Sequence, residues 1–476
     1  MATQSPPKLI NLVRGWPAPS LLASELLASA AQRVLSDPAV FVPALQYGPD
    51  PGHQPLREAL AQWLGRHYGV EPDPERICIS GGASQNLACI LQSFTDPAYT
   101  RAIWMVAPCY HLACDIFKDS GFEGRLRAFP EDEEGADLEA LKESIQKLEE
   151  EQGKTQDKPY KDAGKFRKHY RHVIYVVPTC ANPSGKTMSL ARRTGLVQLA
   201  RKHDALVVCD DVYDFLQWPV GGALTPPSEW PPEMKLPRLC DIDLAMGPSE
   251  HDPRGFGHAV SNGSFSKLVG PGVRTGWVEG SRAFAYGVAQ TGSTKSGGSP
   301  SQFCAATITQ LVASGELEEY LETTVRPALQ RRHARMMDAI REYLTPLGVG
   351  VRESGLVGEK DKIYGGYFVW LTLEGGVSAR VVADRALRDE KVIVGAGDMF
   401  QVHGDEERLG FDNAIRLTYS WELEEDIVEG LRRLGDVIRK VKEQTCFGYL
   451  RWTSRSALQS LIDRSRLADG IAEYRD

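Results

Sequence analysis

Short apolar segments alternate with amphipathic helical segments through the middle of the chain. Four of the apolar segments lack regular polar alternation: ICIS at 77–80, AIWMVAP at 102–108, VIYVVP at 173–178 and ALVVCDD at 205–211. Such segments are typical of strands that are buried on both faces of a parallel sheet. Helical patterns lie between them, such as QNLACILQSF and LARRTGLVQLARKHD. This alternation predicts an α/β fold in which helices sandwich a mostly parallel sheet.

The last third of the chain has a different pattern. Residues 301–344 have the apolar spacing of one or two long helices. Three apolar segments then alternate with helices: GGYFVWLTL at 365–373, VIVGAG at 392–397 and AIRLTYS at 414–420. A further helix is predicted for EEDIVEGLRRLGDVIRKVKEQ at 424–444. These elements predict a smaller α+β domain after the main sheet.

Two segments interrupt the regular alternation. Residues 131–172 are acidic and then basic, which favours a solvated helix and a surface loop over a partner-binding tail. Residues 219–260 are rich in Pro and Gly and have weak periodicity. We expect this second segment to form a long excursion from the sheet, near the active site.

Composition excludes several classes of protein. The 476 residues carry a net charge of −8, and 42% are hydrophobic, as in ordinary globular proteins. The chain lacks the run of about 20 apolar residues that a membrane-spanning helix needs, and its acidity disfavours binding to nucleic acid. Its nine cysteines are scattered without the spacing of a zinc site, so we expect no metal. Neither a signal peptide nor a presequence is recognisable, and we expect a reduced, cytoplasmic location.

The segment SNGSFSKLVGPGVRTGW at 261–277 carries the strongest chemical signal. Lys267 lies among small residues, which allow a planar ligand to approach the backbone. The hydroxyl groups of Ser264 and Ser266, together with Arg274, could hold a phosphate. A partly desolvated lysine has a lowered pKa and can form a Schiff base. From this segment alone, a surface lysine beside a loop is an equally good interpretation.

Polar residues also follow the other predicted strands, where α/β sheets place their ligands. Asp210 and Tyr213 follow one strand, although a helix-capping aspartate and a packed tyrosine would give the same pattern. Asn182 lies in the turn VPTCANPSGKT, and Tyr110 comes just after another strand, where it could stack on a ring. The turn ISGGASQN at 79–86 offers backbone N–H groups to a phosphate, but it lacks a nucleotide-binding motif.

Taken together, SFSK, GPGVR, ANPSGKT and DDVY resemble the fold-type I pyridoxal-phosphate enzymes, and specifically the class I/II aminotransferases. The resemblance runs from LINLVRGWP near the N-terminus to IRLTYS at 415–420. Within this family the chain is most similar to fungal proteins of the kynurenine/2-aminoadipate aminotransferase and MocR-like branch. The resemblance implies pyridoxal 5′-phosphate as the cofactor. It also implies amino-group transfer between an L-amino acid and a 2-oxo acid.

The resemblance assigns a role to each matching residue. Lys267 would be the Schiff-base lysine, which also moves the proton between the substrate Cα and the cofactor C4′. Asp210 would keep the pyridine nitrogen protonated. The other contacts are assigned as follows: Tyr213 and Asn182 to the ring oxygen, Tyr110 to the ring face, the backbone of Ala83 and Ser84 with Ser264 and Arg274 to the phosphate, and Arg416, Asn182 and Gly15 to the substrate carboxylate.

The resemblance also implies an assembly. Tyr47, in QYGPDPG, matches a tyrosine that reaches the phosphate of the other subunit, which implies a homodimer with shared active sites. A large cofactor domain would span residues 48–318. A small domain would combine residues 1–47 with residues 319–476.

Some features depart from the family pattern. Asp210 and Lys267 are 57 positions apart, so residues 229–247 are expected to be an insertion. GGASQN is an unusual phosphate turn, and the tail after residue 446 has no counterpart that we can name.

Elimination with C–S cleavage, or a reaction like that of aminocyclopropane-carboxylate synthase, would use the same residues. A non-catalytic regulator is disfavoured because no basic helix-turn-helix precedes residue 40.

Overall fold

The computed structural model describes residues 7–153, 158–222, 229–230, 234–355 and 362–444. The predicted tail after residue 446 lies outside these ranges. The described strands are Ile10–Asn11 (β1), Ile77–Ser80 (β2), Ala102–Ala107 (β3), Leu126–Asp132 (β4), Gly135–Ala136 (β5), His172–Val176 (β6), Ala205–Asp210 (β7), Gln217–Pro219 (β8), Ala259–Ser264 (β9), Gly276–Glu279 (β10), Val349–Val351 (β11), Ile363–Gly365 (β12), Phe368–Leu373 (β13), Val392–Ile393 (β14), Gly395–Ala396 (β15) and Ala414–Thr418 (β16).

The helices cover the sheets and connect them. They are Ser24–Ser36 (α1), Pro38–Leu45 (α2), Gln54–Tyr68 (α3), Ala83–Phe94 (α4), Leu112–Phe117 (α5), Leu138–Gln152 (α6), Leu190–Lys202 (α7), Leu239–Ala245 (α8), Arg282–Ala289 (α9), Gly292–Lys295 (α10), Gln302–Ser314 (α11), Glu316–Tyr320 (α12), Arg326–Tyr343 (α13), Ala379–Glu390 (α14) and 424–444 (α15). Within the described ranges, none of these helices has the length and apolar character needed to cross a bilayer.

An eight-stranded sheet forms the centre of the structure. Its strand order is β2-β10-β9-β7-β6-β3-β4-β5, and the five strands from β9 to β4 pair in parallel. The four strands that the sequence predicts all belong to this sheet, and three of them end one or two residues earlier than expected. The predicted α/β fold with a mostly parallel sheet is therefore confirmed.

Both faces of the central sheet are buried, which explains the continuous apolar runs. Successive residues of one strand enter two different core clusters, as Val173 and Ile174 do in β6. Leu206 and Val207 repeat the pattern in β7. Because side chains alternate between the two faces of a strand, each face needs its own apolar residues.

A second sheet lies in the C-terminal part of the chain. It is antiparallel, with the strand order β11-β13-β16-β15. The N-terminal strand β1 pairs in parallel with β14, so residues near the N-terminus join this part of the structure. Hydrogen bonds from Thr418 to Leu12 and from Arg416 to Val13 place the segment that contains Gly15 beside strand β16.

The described part of the segment 219–260 packs against the central sheet. None of its described residues lines the cavity that holds the candidate site. Leu239 of α8 instead packs into a core cluster with Val207 of the central sheet. The buried Arg238 forms ion pairs with Asp241 and Glu279. These contacts hold the described part of the segment against the sheet, so it is not a wall of the site.

Candidate active site

A cavity of about 660 Å³ lies at the carboxyl ends of the central strands. Its walls come from the central sheet, from the N-terminal segment 13–16 and from strand β16. Eleven of the twelve predicted site residues line it: Gly15, Ala83, Ser84, Tyr110, Asn182, Asp210, Tyr213, Ser264, Lys267, Arg274 and Arg416. Residues from nearly the whole length of the chain therefore meet in one cavity.

Lys267 lies at the end of a short 3₁₀ turn, Phe265–Lys267, that follows strand β9 directly. Its Nζ donates a hydrogen bond to the carbonyl oxygen of Gly15, at 3.0 Å. Burial lowers the pKa of Lys267 to about 8, although the charge of Asp210 opposes this effect. The lowered pKa makes the neutral amine, which a lysine nucleophile or base needs, more accessible than in an ordinary lysine.

Asp210 is the last residue of strand β7, and it is buried. Its Oδ2 accepts a hydrogen bond from the hydroxyl of Tyr175 at 2.7 Å, whereas its Oδ1 has no hydrogen-bond partner. Burial raises the pKa of Asp210 to about 6, against the Tyr175 hydrogen bond and the charge of Lys267. A buried carboxylate oxygen without a partner is costly, so Asp210 is suited to a ligand that donates a proton.

The first turn of helix α4 provides a place for an anion. Ala83 and Ser84 begin this helix, whose free N–H groups and dipole favour negative charge. Gly82, at φ +103°, comes just before it, and a Cβ there would lie 2.9 Å from Nη2 of Arg274. Arg274 in turn donates to the carbonyl oxygen of Gly81 at 2.9 Å. Because Gly82 has no side chain, space for an anion remains beside the guanidinium of Arg274.

Arg416 lies in the middle of strand β16 and is buried. Nη1 donates to Oδ1 of Asn182 at 2.8 Å, and Nη2 donates to the carbonyl oxygen of Val13 at 2.6 Å. The rings of Phe368 and Phe400 lie 4.2 and 4.6 Å from its guanidinium carbon. Burial lowers the pKa of Arg416 to about 10, so it keeps its charge at neutral pH. No described carboxylate pairs with Arg416, so its guanidinium can bind the carboxylate of a ligand.

The aromatic residues predicted for the site lie in the same cavity. Tyr213 is buried, and its ring centroid lies 6.1 Å from that of Phe368. Phe368 also explains Gly15, because a Cβ at Gly15 would lie 2.5 Å from the Phe368 ring. Tyr110 is half-buried at the start of α5, beside His111.

The twelfth predicted residue lies apart from the others. Tyr47 is 88% exposed in the loop after helix α2, and it is not part of the cavity wall of its own chain.

The sequence did not single out several polar and aromatic residues of the cavity wall, among them Tyr175, Asn262, Arg14 and Trp16. Tyr175 is a lone phenol in the apolar strand β6, and that contrast was the available signal. Asn262, in β9, donates to the carbonyl oxygen of Ala83 and accepts from Asn86, so it fixes the start of helix α4. Arg14 and Trp16 flank Gly15, and their sequence context gave no sign of a role.

Comparisons with known proteins agree with this geometry. The family model "Aminotransferase class I and II" matches residues 7–434. An uncharacterized protein of Saccharomyces cerevisiae is 32% identical over 452 residues, covering 91% of this chain and 97% of that protein. An aromatic-amino-acid aminotransferase of Thermococcus litoralis is 29% identical over 437 residues, covering 91% of this chain and 88% of that enzyme.

A solved structure is also similar to this chain. It is an alpha-aminoadipate aminotransferase from Thermus thermophilus, in complex with N-(5′-phosphopyridoxyl)-L-leucine. The two are 28% identical, the TM-score is 0.68, and the match covers 92% of this chain and 93% of that one. The chain therefore belongs to the class I and II aminotransferase family, and it is an enzyme that transfers an amino group between an amino acid and a 2-oxo acid.

Proposed function

We propose that the cavity binds pyridoxal 5′-phosphate and that the protein uses it for transamination. The observation that carries this proposal is the arrangement of Lys267, Asp210 and Arg416 around one cavity. The unpartnered Oδ1 of Asp210 suits a protonated ring nitrogen, and the space beside Gly82 and Arg274 suits a phosphate. The related Thermus thermophilus enzyme, solved with a phosphopyridoxyl compound, supports the same cofactor.

Each residue has a defined task in this proposal. When bound, pyridoxal phosphate supplies an electron-withdrawing ring that stabilises negative charge at the substrate Cα. Lys267 moves the proton between the substrate Cα and the cofactor C4′. Asp210 accepts a hydrogen bond from the ring nitrogen and favours its protonated form. The remaining contacts are those expected from the resemblance: Tyr213 and Asn182 at the ring oxygen, Tyr110 at the ring face, Ala83, Ser84, Ser264 and Arg274 at the phosphate, and Arg416 with Gly15 at the substrate carboxylate.

The experiment that tests this function is an assay of amino donors and 2-oxo acid acceptors with the purified protein and pyridoxal phosphate. Transamination predicts a new amino acid and a new 2-oxo acid in equal amounts. Ammonia or a thiol as the product would instead indicate elimination on the same scaffold. Binding of the cofactor without turnover of any pair would indicate a regulator.

The cavity also contains an arginine without an assigned task. Arg14 lines its wall, and its guanidinium carbon lies 4.9 Å from the ring of Trp16 and 4.8 Å from that of Trp421. Throughout the described part of the chain, no carboxylate pairs with this guanidinium. We propose that Arg14 binds an acidic group on the substrate side chain. Stacking on the two tryptophan rings leaves the N–H donors of its guanidinium available. Dicarboxylic amino acids and 2-oxo acids would then be preferred.

Substitution of Arg14 by glutamine should separate substrate classes. We expect kcat/KM for acidic side chains to fall about 10- to 100-fold, because one charge-assisted contact is lost. Values for neutral side chains should stay within about twofold of the wild type. Parallel kinetics with glutamate and phenylalanine as donors give the comparison. An equal loss for both donors would exclude this role for Arg14.

We further propose the homodimer and the two-domain division at residues 48–318. The 88% exposure of Tyr47 supports a role at the active site of another copy. If Tyr47 acts across the interface, mixing inactive Tyr47→Ala and Lys267→Ala proteins should restore activity. A hybrid dimer then has one site with both residues intact, giving up to about a quarter of wild-type activity in an equal mixture of randomly exchanged subunits.

Native mass spectrometry must show that the subunits have exchanged. Hybrids that have formed but remain inactive would contradict the shared site. An active Tyr47→Ala homodimer would contradict it as well.

A further inference from the structure

Tyr175 forms a hydrogen bond with Asp210 that has no part in the roles proposed above. It lies on strand β6, which pairs in parallel with the strand that carries Asp210. Its hydroxyl donates to Oδ2 of Asp210 at 2.7 Å, and both side chains are buried. Tyr175 also lines the cavity. The carboxylate is thus held at one oxygen and unpartnered at the other.

Packing alone does not account for the hydroxyl group. Tyr175 belongs to the apolar cluster on one face of the sheet, and its ring meets Phe117 edge-on at 5.8 Å. A phenylalanine would provide the same ring and the same apolar contacts. A buried hydroxyl needs a hydrogen-bond partner, so tyrosine imposes a requirement at this position that phenylalanine would not.

We infer that Tyr175 is a positioning residue: its hydroxyl holds Oδ2 of Asp210, so that Oδ1 is presented to the protonated ring nitrogen of the cofactor. This inference rests on the proposed function. The inference goes beyond that function because it assigns a role to Tyr175, which does not itself touch the cofactor. A carboxylate fixed at one oxygen loses little conformational freedom when its other oxygen binds a ligand.

The hydrogen bond also affects the charge of Asp210. Burial raises the pKa of Asp210, and the donated hydrogen bond lowers it by stabilising the ionised form. Lys267 also lowers this pKa, Asp214 raises it, and the phenols of Tyr110 and Tyr213 lie close enough to interact with the carboxylate. Without the Tyr175 hydroxyl, Asp210 should take up a proton at a higher pH. The attraction for a protonated ring nitrogen would then weaken first at the acid end.

Substitution of Tyr175 by phenylalanine tests the inference because it removes only the hydroxyl. We expect kcat to fall about tenfold, which corresponds to one hydrogen bond to a charged group. The KM for the amino donor should change less than about twofold, because Arg416 binds that carboxylate. The dissociation constant of pyridoxal phosphate, measured by reconstituting apoprotein and following tryptophan fluorescence, should rise about tenfold. The acid limb of the pH profile of kcat should move to higher pH.

Tyr170→Phe is the matched control. Tyr170 is also buried, its hydroxyl donates to the carbonyl oxygen of Gly257, and it lies outside the cavity wall. This variant should keep the wild-type cofactor affinity and pH profile. If both variants lose affinity equally, Tyr175 acts through general packing and the inference is wrong.

A double-mutant cycle with Asp210→Asn separates positioning from other effects. If Tyr175 acts through the carboxylate, its substitution should cost less than about threefold in the Asp210→Asn background. A full tenfold loss there would overturn the inference. So would unchanged affinity and pH profile in the single Tyr175→Phe variant. Failure of the wild-type protein to transaminate would instead refute the proposed function.

Discussion

Substitution of Lys267 by alanine is expected to reduce amino-group transfer by a factor of at least about 10⁴, the upper range for one positioned acid–base group. Lys267 is also the amino group that would attach the cofactor. Burial lowers its pKa to about 8, which makes the neutral form that both tasks need more accessible than in an ordinary lysine. Borohydride reduction of the wild-type protein should therefore link the cofactor to Lys267. Peptide mapping by mass spectrometry identifies the modified residue.

Lys142, a half-buried residue that pairs with Glu139, provides a matched control on helix α6. Lys142→Ala should keep full activity and should still be labelled at Lys267. Both variants should have circular-dichroism spectra like that of the wild type, since Lys267 forms no ion pair among the described residues. A label on another lysine would contradict the assignment, and so would substantial turnover by Lys267→Ala.

Substitution of Arg416 by alanine should lower kcat/KM for every amino donor by a factor of about 30 to several thousand. This range corresponds to the 2–5 kcal/mol typical of truncating one member of a buried, hydrogen-bonded charge pair. The effect should fall mainly on KM and should be similar for acidic, aromatic and aliphatic donors, because all of them carry the same α-carboxylate. Steady-state kinetics with three donors measure it.

Arg416→Lys and Arg380→Ala complete this test. The lysine keeps the charge but not the forked geometry, so it should recover only part of the loss. Arg380 pairs with Asp398 at the surface, and its removal should change neither constant. A loss confined to one side-chain class in Arg416→Ala would mean that the residue binds the side chain.

The central sheet could be predicted because the residues of each strand, taken alone, show that both of its faces are buried. A strand covered on both faces needs apolar residues at every position, as ALVVC in β7 shows. Asp210, Asn182 and Lys267 were found for a related reason. Each lies at or after the carboxyl end of a buried strand, and parallel strands present such positions at one edge of the sheet.

The parts that the sequence did not predict depend on partners that are distant along the chain. Tyr175 and Asp210 are 35 positions apart, and only the pairing of β6 with β7 shows that they meet. The same holds for Arg14, whose contact with Trp421 depends on the approach of the N-terminal segment to strand β16. The Pro and Gly content of the segment 219–260 indicates a loop, but it does not show on which surface that loop packs.

The hydrogen bonds of the segment 13–16 have a consequence for biosynthesis. Lys267 donates to Gly15, and Arg416 donates to Val13, so residues about 400 positions apart are held together across one site. On a ribosome, the part of the chain with Lys267 and Asp210 emerges long before strand β16. A nascent chain can form the parallel sheet early, but it cannot bind a substrate carboxylate through Arg416 until that residue has emerged. Completion of the substrate site therefore comes late, only when strand β16 has met the segment 13–16.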